Sequence, residues 1–353
     1  MTSDLPRVTV CVPVYNGAQT INRTLDSILA QDYQNFEVIV SDNCSTDETA
    51  KIVHGYSVRG VRYYLNPHME TYAPAENNWN HILSLAPGPL VALYHADDVY
   101  MPTMVRKQAE FLTANPDVSA VFAMTQTIDV QDRPIRMGSM RLPEELRGRD
   151  RFDFSEFFNA VLKYCTFTPV PTMMTRRPVL DAIGGFNCQV FLSAADIDLY
   201  LRMARRWGPI GVIDEPLHHY RIAERQVSSQ LPNGRTTLPD FHVAMNAHLG
   251  DQEEMKIVQP QSLALYEMNR ARDHVLCAMN LLSEGKTAEA REHLREALCW
   301  RHFVTAPRRP RVLAWLLAGL GFIISANLGF GTFAGRRVRG AYARRNAWLR
   351  KPA

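Results

Sequence analysis

Four short apolar runs, each closed by polar residues and separated by amphipathic stretches, constrain the fold of the first hundred residues more than any other feature. They are VTVCVPVYN (8–16), FEVIVSDN (36–43), VRYYLN (61–66) and LVALYHADD (90–98). Runs this short, β-branched and ended by turn residues read as buried strands. Between them, 18–31 places Ile21, Leu25, Ile28 and Leu29 on one helical face, and 45–56 and 75–86 also read as helices. Ser45 or Thr46 is expected to cap the second helix, with Asp47 and Glu48 at its positive end. Strands alternating with helices imply parallel pairing and an α/β fold, a three-layer sheet of mostly parallel strands. Such sheets bind ligands beyond the carboxyl ends of their strands. Tyr15-Asn16, Asp42-Asn43 and Asp97-Asp98 all fall there, so one sheet edge gathers a candidate site.

Farther on, 168–187 reads as a strand, a short helix and a Gly-Gly turn. SAADIDLYLRMARRWG (193–208) reads as a helix with an acidic start, and 211–222 as another strand. The turn-rich QLPNGRTTLPD (230–240) marks a boundary, and two helices then fold back around Gly285. That pair resembles a single tetratricopeptide-like unit, and one copy makes no solenoid. The expected organisation is a catalytic domain over 1–230, a helical extension over 231–305 and a basic apolar tail over 306–353.

Charge separates the tail from the body. Residues 301–353 hold eleven Arg or Lys and no Asp or Glu, which leaves 28 basic against 36 acidic residues in the first 300. Six widely spaced cysteines without a C-x-x-C pair fit reduced thiols in an intracellular protein. The N-terminus lacks the pattern of a signal peptide.

Adjacent carboxylates at a strand end suit a hard divalent cation, Mn²⁺ or Mg²⁺, held on diphosphate oxygens. They also suit a plain helix-capping turn, and ADD alone does not separate the two. The combination says more. VTVCVPVYNGAQTINRTLDSILAQDYQNFEVIVSDNCSTDET, then NNWNHILSLAPGPLVALYHADDVYMP, then GGFN and SAADIDLYLRMARRWGPIGVIDEPLHHYR, resemble the inverting family 2 glycosyltransferases with a GT-A fold over residues 7–225.

The resemblance implies roles. Pro13, Tyr15 and Asn16 would line a nucleotide pocket, and Asp42 and Asn43 would face the base. Members commonly carry Asp-Asp at that last position; Asn43 both donates and accepts, which loosens any inference to uracil. HADD matches the metal-binding motif in its x-D-D form, so Asp98 would hold the cation and Asp97 would reach toward the ribose or sugar. Asp196 matches the catalytic base, although Ala195 stands where Glu is usual. Asp198 is its rival, and Arg221 and Asn80 are further candidates for phosphate and donor-sugar contact, as are Asn77 and Asn78. Polymer-forming members carry Gln-x-x-Arg-Trp; here Met203 replaces the Gln, so a single sugar addition is expected.

The uncharged stretch 312–335 is long enough to span a bilayer, but Arg flanks both sides and Asn327, Gly329 and Gly331 weaken its second half. The expectation is peripheral association with an anionic membrane surface, with packing on the protein or true spanning as alternatives. Nucleic acid is not an expected partner, because the basic residues bracket an apolar run and match no known module. The whole reading is a metal-dependent glycosyltransferase at the cytoplasmic membrane face. It takes a nucleotide-diphosphate sugar donor and a saccharide or lipid-linked saccharide acceptor. A catalytically silent nucleotide-sugar-binding or scaffold protein is the alternative, and a nucleotidyltransferase lacks its Gly-rich basic loop here.

Overall fold

The computed structural model describes residues 5–66, 74–137, 139–222, 234–299 and 310–352, without the side chains of 74–77. By its internal contacts the chain forms two compact units. The first comprises Met1–Ile128, Gly138–Phe158 and Thr166–Arg221; the second comprises Asp129–Met137, Asn159–Cys165 and Ile222–Ala353.

The first unit opens with β1 (Val8–Val14), α1 (Ile21–Leu29), β2 (Phe36–Asp42), α2 (Thr49–Gly55), β3 (Val61–Leu65), α3 (Pro74–Leu85) and β4 (Leu90–Leu93). It continues with β5 (Val99–Tyr100), α4 (Met104–Ala114), β6 (Ala120–Ile128), β7 (Arg151–Phe152) and the start of α5 (Phe154–Tyr164), whose residues from Asn159 belong to the second unit. β8 (Met173–Arg176), α6 (Arg177–Ile183), α7 (Cys188–Phe191), α8 (Ala195–Arg206) and β9 (Ile210–Arg221) follow. The strands make one nine-stranded sheet in the order β3-β2-β1-β4-β8-β6-β9-β5, with β7 on β9. β1, β2, β3, β4, β6 and β9 run one way; β5, β7 and β8 run against them.

Every residue of β1 is buried, as a strand covered on both faces requires. Its valines share a core with Ile21, Leu25 and Ile28 of α1 and with Met104, Val105, Ala109 and Leu112 of α4. The α2 cap differs from the expectation. The helix begins at Thr49, and the Asp47 carboxylate accepts from the Thr49 N–H at 3.0 Å. Ser45 and Thr46 instead bond Asn16: the Ser45 hydroxyl accepts from the Asn16 N–H at 2.8 Å, and the Thr46 N–H donates to Asn16 Oδ1 at 2.8 Å. These bonds latch the turn after β1 to the turn after β2.

The second unit holds α9 (Asp240–Leu249), α10 (Gln252–Met255), α11 (Pro260–Ser283), α12 (Thr287–Ala297), α13 (Pro310–Asn327) and α14 (Gly331–Leu349). α11 and α12 turn at Gly285, whose φ of 84° is easy for glycine. Leu282 and Val275 of α11, Leu294 of α12, and Leu316 and Phe322 of α13 share one core, onto which Val338 and Tyr342 of α14 pack.

Candidate functional site

The parallel strands β2, β1 and β4 end side by side, so the turns after Val14, Asp42 and Leu93 share one sheet edge. β9 is parallel to β6 and reaches the same loop from the other side, because β5, directly after HADD, pairs with His218 and His219. Three expected residues thereby meet. The Arg221 N–H donates to Asp98 Oδ1 at 2.9 Å, and Arg221 Nε donates to the Asp97 carbonyl at 2.8 Å. From the helix side, Thr24 Oγ1 donates to the Ala96 and Asp98 carbonyls at 2.9 and 2.7 Å.

The two carboxylates have different environments. Asp98 is wholly buried, with its Oδ2 2.9 Å from His218 Nε2; His218 Nδ1 in turn lies 3.0 Å from Thr125 Oγ1. Thr125 sits where the β6–β9 register shifts. Burial, with the neighbouring Asp97 charge, holds the Asp98 carboxyl well above the usual carboxylate range. Burial also pushes the His218 imidazole down to about 3. Asp97 is only half-buried and is the more accessible carboxylate.

His95 completes the cluster, and sequence reasoning passed over it. Ligand atoms of His95, Asp97 and Asp98 lie within 4.8 Å of one another. His95 Nε2 is buried and has no hydrogen-bond partner among the described residues. Burial lowers the pKa of this imidazole, which favours the neutral, metal-ligating form. One imidazole and two carboxylates fit a divalent cation, and the nitrogen favours Mn²⁺ over Mg²⁺. The Trp79 ring stacks on His95 at 5.4 Å between centroids and meets the Phe186 edge at 5.0 Å. Trp79 thus lies against the cluster.

At the β1 and β2 ends, Pro13 is buried, while Tyr15 is 55% exposed and Asn16 is exposed with a φ of 50°. Asp42 accepts from the Ser45 N–H at 2.8 Å and from the Tyr63 hydroxyl at 2.9 Å. Asn43 Oδ1 accepts from Asn66 Nδ2 at 3.1 Å. Both Asp42 and Asn43 are buried.

α8 separates its two acids. Asp198 is buried, accepting from Arg202 Nε at 2.8 Å and Asn187 Nδ2 at 2.9 Å. Asp196 is half-buried in the first turn, with its Oδ1 accepting from the Ile197 N–H at 2.8 Å. The preceding loop is tied back to α3: Asn80 Nδ2 donates to the Phe186 carbonyl at 2.8 Å, and Asn80 Oδ1 accepts from the Phe186 N–H at 2.7 Å. Asn80 is therefore occupied by backbone. Asn78 is likewise engaged, donating to the Ser41 carbonyl at 2.9 Å. The Asn77 side chain lies outside the described residues.

The glycosyl transferase family 2 model matches residues 9–184, the stretch that carries the HADD loop and the strand-end turns. The chain belongs to glycosyl transferase family 2. It has the GT-A fold. An uncharacterized protein of Mycobacterium tuberculosis is 29% identical over 207 residues, 57% of this chain and 63% of that protein. The Escherichia coli UDP-Glc:alpha-D-GlcNAc-diphosphoundecaprenol beta-1,3-glucosyltransferase WfaP is 26% identical over 172 residues, 49% of this chain and 62% of that enzyme. The match thus spans less than two thirds of either relative. Among solved structures, Staphylococcus aureus TarS 1–349 in complex with UDP-GlcNAc superposes with a TM-score of 0.58 at 19% identity, covering 96% of this glycosyltransferase and 92% of that chain.

Proposed function

We propose that this glycosyltransferase moves one sugar, with inversion, from a nucleotide-diphosphate donor to a hydroxyl of a lipid-linked or surface-polysaccharide saccharide, and works at the cytoplasmic membrane face. The observation that carries the reading is the His95–Asp97–Asp98 cluster at the end of β4, beside strand-end turns that suit a nucleotide. The relative named for a UDP-Glc donor and a diphosphoundecaprenol-linked acceptor supports the donor and acceptor classes.

The expected division persists as part of the proposal: 1–230 does the chemistry, with 231–305 and 306–353 as its helical extension and tail. Asp42, Asn43, Tyr15, Asn16 and Pro13 bound the nucleotide pocket. A divalent cation, when bound, would neutralise charge developing on the leaving diphosphate. Asp97, the accessible carboxylate, would be its primary ligand, with His95 beside it; buried Asp98 backs the pair and fixes the loop through Arg221 and His218. This moves the main metal contact from Asp98, the sequence expectation, to Asp97.

Asp196 accepts the acceptor hydroxyl's proton as the oxygen attacks the anomeric carbon. Asp198 is held by Arg202 and Asn187, which favours Asp196 for that work. One displacement inverts the anomeric centre. The test uses the full chain with UDP-glucose, UDP-N-acetylglucosamine or GDP-mannose and an undecaprenyl-diphosphate-linked sugar, in Mn²⁺ or EDTA. The expected product has the opposite anomeric configuration to the donor and is lost in EDTA. Retention, or transfer indifferent to EDTA, contradicts the reading.

A further inference from the structure

α13 has no charged residue after Arg311, and its two faces meet different surroundings. Val312, Leu316, Gly319, Phe322 and Ala326 are buried. Gly319 packs so closely that an added Cβ would lie 3.0 Å from Val275 of α11. A helix with one stripe in a protein core is not ringed by lipid while that core is intact, so the spanning alternative does not suit this fold.

The opposite stripe is apolar too. Leu317, Leu320, Ile324 and Leu328 follow one another at steps of three and four, and are 54%, 38%, 57% and 68% exposed. Phe330 and Phe333 extend it round the turn into α14 and are also exposed. Most of α13 is not buried, unlike an internal core helix. α14 adds exposed Arg337, Arg344, Arg345 and Trp348. An exposed apolar stripe bordered by cations and aromatic rings has the chemistry of a surface that lies in a lipid interface. A second copy of the chain fits less well. A two-fold pairing would bring these arginines together, with no acidic residue in α13 or α14 to offset them.

We infer that α13 and α14 form an in-plane docking surface for an anionic phospholipid bilayer. The stripe from Leu317 to Phe333 enters the acyl boundary while Arg337, Arg344 and Arg345 meet the headgroups. This deepens the membrane-face part of the proposed function, and it is tested without sugar transfer.

Flotation of the full chain is measured with vesicles of phosphatidylcholine alone and with about one third phosphatidylglycerol. The expected result is binding to the anionic vesicles only. Arg337→Glu/Arg344→Glu/Arg345→Glu should weaken that binding at least about a hundredfold. Ile324→Asp/Phe330→Asp should abolish the part that survives high salt. Circular dichroism and thermal melting verify that the variants fold. No flotation, equal binding to both vesicles, or variants that bind like the parent would overturn the inference. So would concentration-dependent self-association that the variants abolish in a chain that binds no vesicle. Nucleotide titration on the same samples separates this from the donor site: lost nucleotide binding with intact flotation refutes the donor reading alone.

Discussion

Asp97 and Asp98 are adjacent, yet their surroundings divide the work between them. Asp98 accepts the Arg221 N–H and faces His218 from full burial, so Asp98→Ala strips buried groups of their acceptor. The expected cost is about 3 kcal/mol of stability, read by urea unfolding. A cost near zero would show that Asp98 does not organise the loop. The same contrast operates on α8. Asp196→Asn should keep donor binding and the melting temperature while lowering the transfer rate by about 10²–10⁴-fold. Asp198→Asn should instead lower the melting temperature, because Arg202 loses its buried partner charge. The reverse pattern would make Asp198 the base. At this scale the sequence exposed the acids but not their neighbours. A lone histidine at a strand end reads as packing, so His95 gained meaning only when Trp79 and two carboxylates were seen beside it. Asn80 shows the converse: nothing in a polar helix residue reveals that its amide is bonded to the Phe186 backbone 106 positions away.

Among the elements, β1 to β4 and their helices were legible because short valine-rich runs ending in polar turns admit few alternatives. The long β6 was not singled out, although it pairs with β9 over nine residues. Nor was the reversal of β8 between β4 and β6 readable, since strand direction depends on the path of the chain and not on composition. The turn into β9 carries a tight constraint that the sequence also concealed. A Cβ on Gly208 would lie 2.0 Å from the Asp117 carbonyl oxygen, a backbone atom that has little room to move. Gly208→Ala is expected to cost about 1–3 kcal/mol, measured as a shift in the urea midpoint. An unchanged midpoint would mean that this turn relaxes freely.

For the whole molecule, charge and apolarity separate along the chain. The acidic body carries the sheet and its site, and the C-terminal 53 residues carry basic charge without a single acid. The sequence announced that asymmetry but not its arrangement: one face of α13 joins the second core, and the other remains exposed. In the first unit, the proposed work of the strand-end cluster is to hold a cation on a nucleotide diphosphate. Calorimetric titration of the full chain with UDP, dTDP, GDP and CDP, each with and without Mn²⁺, tests it directly alongside Asp97→Ala. One diphosphate is expected to bind in Mn²⁺, binding is expected to weaken at least about tenfold without the metal, and Asp97→Ala is expected to remove the dependence while the chain stays folded. Absence of binding in a folded sample, or equal binding with and without Mn²⁺ in both proteins, would contradict it.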